Sequence, residues 1–161
     1  MGIEIDQTAF EAADYEVFRK ALERNLHDLE GLLAQSGFGE GPASLGAELE
    51  MYIVDDGGNP LHVNQEILAA SNDPQLALVL NRYNLEYNLT PQKITESAFA
   101  ATEAEIVQKL AGLRKTAANF GGRIVPIGIL PTLRESDLGA HCITDRKRFL
   151  ALVRQLLTRR G

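Results

Sequence analysis

An α+β domain is the fold class this sequence predicts, with a sheet of about three to five strands and helices packed on one of its faces. Two observations carry the prediction. Residues 45–54 and 83–90 alternate apolar and polar side chains with a period of two, as half-buried strands do. Residues 12–35 and 98–119 repeat apolar side chains every three or four positions, as helices with one buried stripe do. At 161 residues and 45% hydrophobic composition, one compact unit is expected. It divides into a helix and connector at 1–43, a sheet with helices at 44–130, and a loop with a terminal helix at 131–161.

Thr8 and Glu11 are spaced as a capping box, and the helix after them is expected to reach about Gln35, where Ser36-Gly37 stops it. Phe18, Leu22, Leu26, Leu29 and Leu33 form a single stripe, which predicts packing on a core. The glycine-rich run 37–44 lacks both a preceding strand and a Lys-Ser/Thr ending, so it reads as a connector and not a phosphate-cradling loop. The first strand puts Leu45, Ala47, Leu49, Met51 and Ile53 on one face and Gly46, Glu48, Glu50, Tyr52 and Val54 on the other. Asp55-Asp-Gly-Gly-Asn-Pro60 is a turn, with a return strand expected near 61–63. Ser71-Asn-Asp73 ahead of Pro74 predicts a capped short helix through about Leu80.

The second strand sets Tyr83, Leu85, Tyr87 and Leu89 against Asn84, Glu86, Asn88 and Thr90, and Pro91 ends it. A long helix over 98–119 turns Ile106, Leu110, Leu113, Ala117 and Phe120 inward and stops at Gly121-Gly122. Residues 123–130 form a third main strand, which Pro126 confines to an edge or a bulge. Residues 131–143 are irregular. Thr144 or Asp145 then caps a last helix through about Arg159, whose basic end suits the negative pole of the helix dipole.

The formal net charge of −6 excludes nucleic acid and anionic membranes as bulk electrostatic partners. A single cysteine, Cys142, leaves no internal disulfide and no cysteine-based zinc cluster, so a reducing cytoplasm is the expected location. There is no apolar run of about 18 residues and no basic-then-apolar leader, so neither membrane spanning nor secretion is expected.

Glu48 and Glu50 are neighbours on one strand face, and such carboxylates repel unless water, a cation or a basic partner answers the charge. If both strands join one sheet, their apolar faces meet the same helices, and Glu48, Glu50 and Glu86 line the opposite face as an oxygen-ligand metal site. The plainer alternative is a solvated strand face. His141 beside Cys142 has no third partner in sequence and reads as a loop histidine next to a buried thiol. Arg134 and Arg148 either contact phosphate or substrate, or pair with the excess acid. Asp55-Asp56 lacks the later ligands of a calcium loop.

Four motifs in order resemble the second family of glutamate-cysteine ligases, the carboxylate-amine ligases. Gly46-Ala-Glu-Leu-Glu-Met-Tyr-Ile-Val-Asp55 resembles that family's Gly-x-Glu-x-Glu strand, and Asn84-Leu-Glu-Tyr-Asn-Leu-Thr-Pro91 resembles its second strand. Ile127-Gly-Ile-Leu-Pro131 is similar to the strand leading into an active-site loop, and Arg148-Phe149 to an Arg-aromatic pair after it. The likeness covers about residues 44 to 150.

The resemblance implies a glutamine-synthetase-like fold, with helices on one face of an antiparallel sheet and magnesium-nucleotide chemistry on the other. It implies ATP-dependent activation of a glutamate-like carboxylate as an acyl phosphate that an amine attacks. Mg2+ or Mn2+ would be held by Glu48, Glu50 and Glu86, with Asn88 and Thr90 orienting substrate from the same face. Magnesium favours hard oxygen ligands and keeps phosphate and water in its shell, which suits a few carboxylates on a rigid sheet. Typical members are much longer than this chain, so the resemblance implies the N-terminal portion of a ligase, inactive alone and able to homodimerise over an open sheet face or edge. The alternative is a non-catalytic ligand-binding or oligomerisation module built on the same sheet.

Overall fold

The computed structural model describes residues 3–95 and 97–160, the last two as backbone only. In chain order the elements are α1 (Ala12–Leu33), β1 (Ser44–Leu45), β2 (Glu48–Val54), α2 (Asn64–Ser71), β3 (Leu76–Leu78), β4 (Asn84–Asn88), β5 (Gln92–Lys93), α3 (Ala98–Ala118), β6 (Arg123–Val125) and α4 (Lys147–Arg160). Two single 3-10 turns, Glu135–Leu138 and Ala140–Cys142, precede α4. The mixed α+β class is as predicted.

The main sheet runs β3-β4-β2-β6 with every pairing antiparallel, and β1 and β5 form a separate two-stranded ribbon. The period-two patterns sort as expected except at Tyr83, which lies just before β4, outside the apolar cluster, and stacks on Tyr52 of the other row. Met51 and Ile53 of β2, with Leu85 and Tyr87 of β4, face inward onto Ile67 of α2 and Leu110, Leu113 and Ala117 of α3. These side chains are buried and form one apolar cluster, the main source of stability in a domain of this size. Gly121 (φ 70°) ends α3 in the left-handed conformation. Gly122 lets the chain turn tightly back, since a Cβ there would stand 3.0 Å from Cγ2 of Ile53. β6 is an edge strand that ends before Pro126, because proline offers no N–H to extend the ladder.

Three local expectations are corrected. The return strand near 61–63 does not form: Leu61 N–H reaches Ile53 O at 2.9 Å and Val54 bridges Pro60, and α2 starts at Asn64. β4 takes that edge of β2 from Tyr52 onward, which leaves a hairpin no room to continue. The helix expected after Pro74 is instead β3, whose three residues are all buried against β4. Asp73 Oδ1 accepts the Gln75 N–H at 3.0 Å in a local turn, and Asn72 (φ 47°) closes the helix before it, so the polar run marks the end of α2 and not a new start.

The third correction concerns α1. Its capping box is Glu11 with Asp14 in place of Thr8 with Glu11. No α1 residue is buried, and Phe18, Leu22, Leu26, Leu29 and Leu33 are between 43% and 66% exposed, so the stripe faces solvent and not a core. The helix touches the rest of the chain at its first turn, where Tyr15 Oη donates to Gln155 Oε1 of α4 at 2.8 Å. The expected basic end of α4, at Arg159 and Arg160, lies outside the described side chains.

Two buried tyrosines give the core an alkaline limit. Burial foremost pushes the hydroxyls of Tyr83 and Tyr87 up to about 12, from a usual 10.0. Between those two values the folded chain keeps protons that the unfolded chain has lost, so stability should fall as pH rises through the window. Urea midpoints measured across it should drop for the parent and flatten in Tyr83→Phe and Tyr87→Phe; identical slopes would remove these tyrosines as the cause.

Candidate functional site

The antiparallel register brings the carboxylates together in a way that strand alternation alone cannot specify. Glu50 of β2 lies directly opposite Glu86 of β4, Glu48 opposite Asn88, and Tyr52 opposite Asn84. All project from the face away from α2 and α3, because their neighbours Leu49, Met51, Leu85 and Tyr87 pack inward. Glu48 and Glu50 are exposed and Glu86 is half-buried. Asn88 Nδ2 donates to Glu86 Oε1 at 2.8 Å, which orients that carboxylate along the strand.

Glu50 and Glu86 line a cleft of about 510 Å³ whose other wall comes from Leu78–Leu80 and from Arg148, Phe149 and Leu152 of α4. The Arg148 guanidinium lies over the Phe149 ring, 4.5 Å from its centroid, and Nη2 donates to Leu78 O at 3.3 Å. The cation is thereby held at the rim of a surface where two carboxylates face each other. Glu48 continues the acidic row one step along β2, beyond the cleft lining.

The remaining sequence candidates go elsewhere. Thr90 donates its hydroxyl to Glu105 Oε1 of α3 at 2.8 Å, and Gln75 Nε2 reaches both at 3.1 and 3.0 Å, so Thr90 joins the strand end to a helix on the inner face. Arg134 is exposed in the 131–143 segment, with its backbone N–H on Asp137 Oδ2, and does not line the cleft. Burial pushes the Cys142 thiol up, which keeps it protonated and suits a packing role.

A row of rings was not legible beforehand. Tyr52 stacks on Tyr83 at 6.0 Å between centroids, Tyr83 meets His62 at 5.6 Å, and His62 meets His141 at 6.2 Å. Burial, then the nearby Arg82 and His141, push the His62 imidazole below its usual range. These residues come from separate segments, and nothing in the local sequence marks them as neighbours.

A donor set of this kind fits one hard divalent cation in a particular way. Among the described residues, no three His, Cys, Asp or Glu side chains converge into a metal cage. Magnesium needs no such cage, since one or two carboxylates with substrate phosphates and water commonly complete its shell. Glu50 and Glu86 are two carboxylates set opposite each other across the strands, a donor pair of the type such a shell takes.

A model of glutamate-cysteine ligase family 2 matches residues 44–160, a span that begins at β1 and takes in the whole main sheet, α4 and every residue of the cleft except Ile3. The chain belongs to glutamate-cysteine ligase family 2. Membership makes its kind of function carboxylate-amine ligation, a reaction of small molecules. No curated protein and no solved structure matches the chain. Among the described residues no helix is long and apolar enough to cross a membrane. Among the described residues of this ligase family member, α1 is the one α-helix that falls outside the matched span.

Proposed function

We propose that the chain binds a magnesium-nucleotide on the outer sheet face as part of an ATP-dependent ligase that joins a glutamate-like carboxylate to an amine. The observation that carries this reading is the direct pairing of Glu50 with Glu86 in a cleft shared with Arg148. Like charges set opposite each other across two strands are destabilising, by roughly 0.2–1 kcal/mol, unless a cation lies between them. A bound Mg2+ or Mn2+ would neutralise phosphate oxygens and hold them in line for transfer.

This chain's residues have distinct roles in the proposal. Glu50 and Glu86 hold the cation, Glu48 extends the acidic row toward its water shell, and Asn88 keeps the Glu86 carboxylate oriented through their 2.8 Å bond. Arg148 offers its guanidinium to phosphate or to the substrate carboxylate, with Phe149 beneath it. Phosphoryl transfer relies on charge neutralisation and positioning. Arg148 is the cationic side chain lining this open cleft among the described residues, so we expect binding by the 161-residue chain but little turnover. ATP dependence and a single buried thiol suit the cytoplasm.

Calorimetric titration of the chain with magnesium and ATP tests the reading. The parent should bind, and Glu50→Gln and Glu86→Gln should each weaken binding about tenfold or more, equivalent to about 1.4 kcal/mol. Without magnesium the same substitutions should leave stability unchanged or raise it by up to about 1 kcal/mol, since each removes a repulsion. A silent titration of the parent, or glutamine variants that bind as well as it does, would leave a non-catalytic module as the better description.

A further inference from the structure

The chain ahead of α1 lies outside the span that the family model matches, yet it reaches the carboxylate cleft. Residues 3–10 have no regular secondary structure and run along α4. Ile5 and Phe10 are half-buried and share a groove of about 310 Å³ with Arg148, Ala151 and Leu152. Phe10 meets Tyr15 of α1 edge-on at 6.4 Å between centroids, and Tyr15 Oη donates to Gln155 Oε1 at 2.8 Å. One end of the segment is thereby fastened to α4.

The other end carries charge. Glu4 Oε1 accepts the Arg148 backbone N–H at 3.2 Å, and Asp6 Oδ1 stands 3.8 Å from Lys147 Nζ. Arg148 is the second residue of α4, and the N–H groups of a first turn have no intrahelical partner and attract negative charge. A phosphate or a substrate carboxylate is drawn to such a place for the same reason. Ile3 then lines the cleft together with Glu50, Glu86 and Arg148. At 89% exposure it lies across the opening.

We propose that residues 3–6 are an autoinhibitory strap, in which Glu4 holds the anion-binding end of the cleft as an internal substitute for the phosphate or carboxylate of a ligand. The inference rests on the magnesium-nucleotide reading of that cleft. Strap and ligand carry the same sign of charge and use the same wall, so each excludes the other. The hold is loose enough to be displaced, because Glu4 is exposed and the Asp6–Lys147 pair lies at the surface, where ion pairs contribute little. A ligand that competes with a strap closed most of the time loses apparent affinity in proportion to the open fraction.

Calorimetric titration of the full chain with magnesium and ATP tests the strap. Glu4→Ala with Asp6→Ala should bind about 3- to 10-fold more tightly than the parent. Ile5→Ser, which loosens the anchor without changing charge, should shift affinity in the same direction. Linkage is reciprocal, so magnesium-ATP should open the strap of the parent by a similar factor. A glutamate-specific protease reads that opening as faster cleavage of the Glu4–Ile5 bond, with cleavage inside α1 unchanged. Equal or weaker binding by the double variant, or cleavage after Glu4 that ignores magnesium-ATP, would overturn the strap and leave the ligase reading standing. A gain confined to the charge variant would reduce the effect to bulk electrostatics and overturn it too. Silence from parent and variants alike would remove the ligase reading and the strap with it.

Discussion

Leu85→Ala is expected to lower the unfolding free energy by about 2–5 kcal/mol, the range for removing a buried leucine where neighbours cannot collapse into the space. Leu85 is 0% exposed, and the register sets it between Met51 of β2 and Leu78 of β3 at the centre of the sheet's inner face. Strands on both sides hold its surroundings in place, which argues for the upper half of the range. Urea unfolding at neutral pH reads the effect as a lower midpoint at unchanged slope. A loss below about 1 kcal/mol would be ordinary for any position and would mean that this strand face is not the core.

The second large effect is expected at Asn64, a buried amide that ties three segments together. Its Nδ2 lies 2.9 Å from Thr144 Oγ1, 3.1 Å from Asn81 O and 3.3 Å from Asn84 O, and Thr144 in turn donates to Val79 O at 2.8 Å. Asn64→Ala leaves buried acceptors without their donor, at a cost of about 1–3 kcal/mol. Thr144 stands three residues before α4, so the damage should spread to the helix that carries Arg148. Hydrogen exchange should speed up at the Thr144 and Arg82 amides, which now bond Leu80 O and Cys142 O at 2.8 and 2.7 Å. Unchanged exchange at both amides, with stability within about 0.5 kcal/mol of the parent, would remove Asn64 from this role.

Both effects arise where local pattern and long-range packing agree to different degrees. Leu85 was legible as a core residue because alternation over Tyr83–Leu89 needs no knowledge of the partner strand. Asn64 was not legible, since its partners lie 17 to 80 positions away. Turn signals were ambiguous for a related reason. Asn72-Asp73-Pro74 serves equally well to end one helix or to start another, and the apolar run Leu76–Leu78 is short enough to pair as a strand once β4 lies beside it. The stripe on α1 was read correctly as amphipathic and wrongly as packed, because a helix pattern announces a face to be covered without saying what covers it.

Side-chain direction along a strand is local, so the sequence by itself determined that Glu48 and Glu50 share a face, that Glu86 and Asn88 do, and that each face opposes an apolar one. It also determined the α+β class and left the 123–130 strand at an edge or a bulge; the fold makes it an edge strand and stops it at Val125. Only the tertiary structure decided that Glu50 stands directly across from Glu86, that α4 brings Arg148 to the same cleft, and that Thr90 bonds to α3 instead. Register and docking depend on how segments far apart in the chain bury their apolar faces together, and a shift of one residue would have sent the two carboxylates to opposite sides of the sheet.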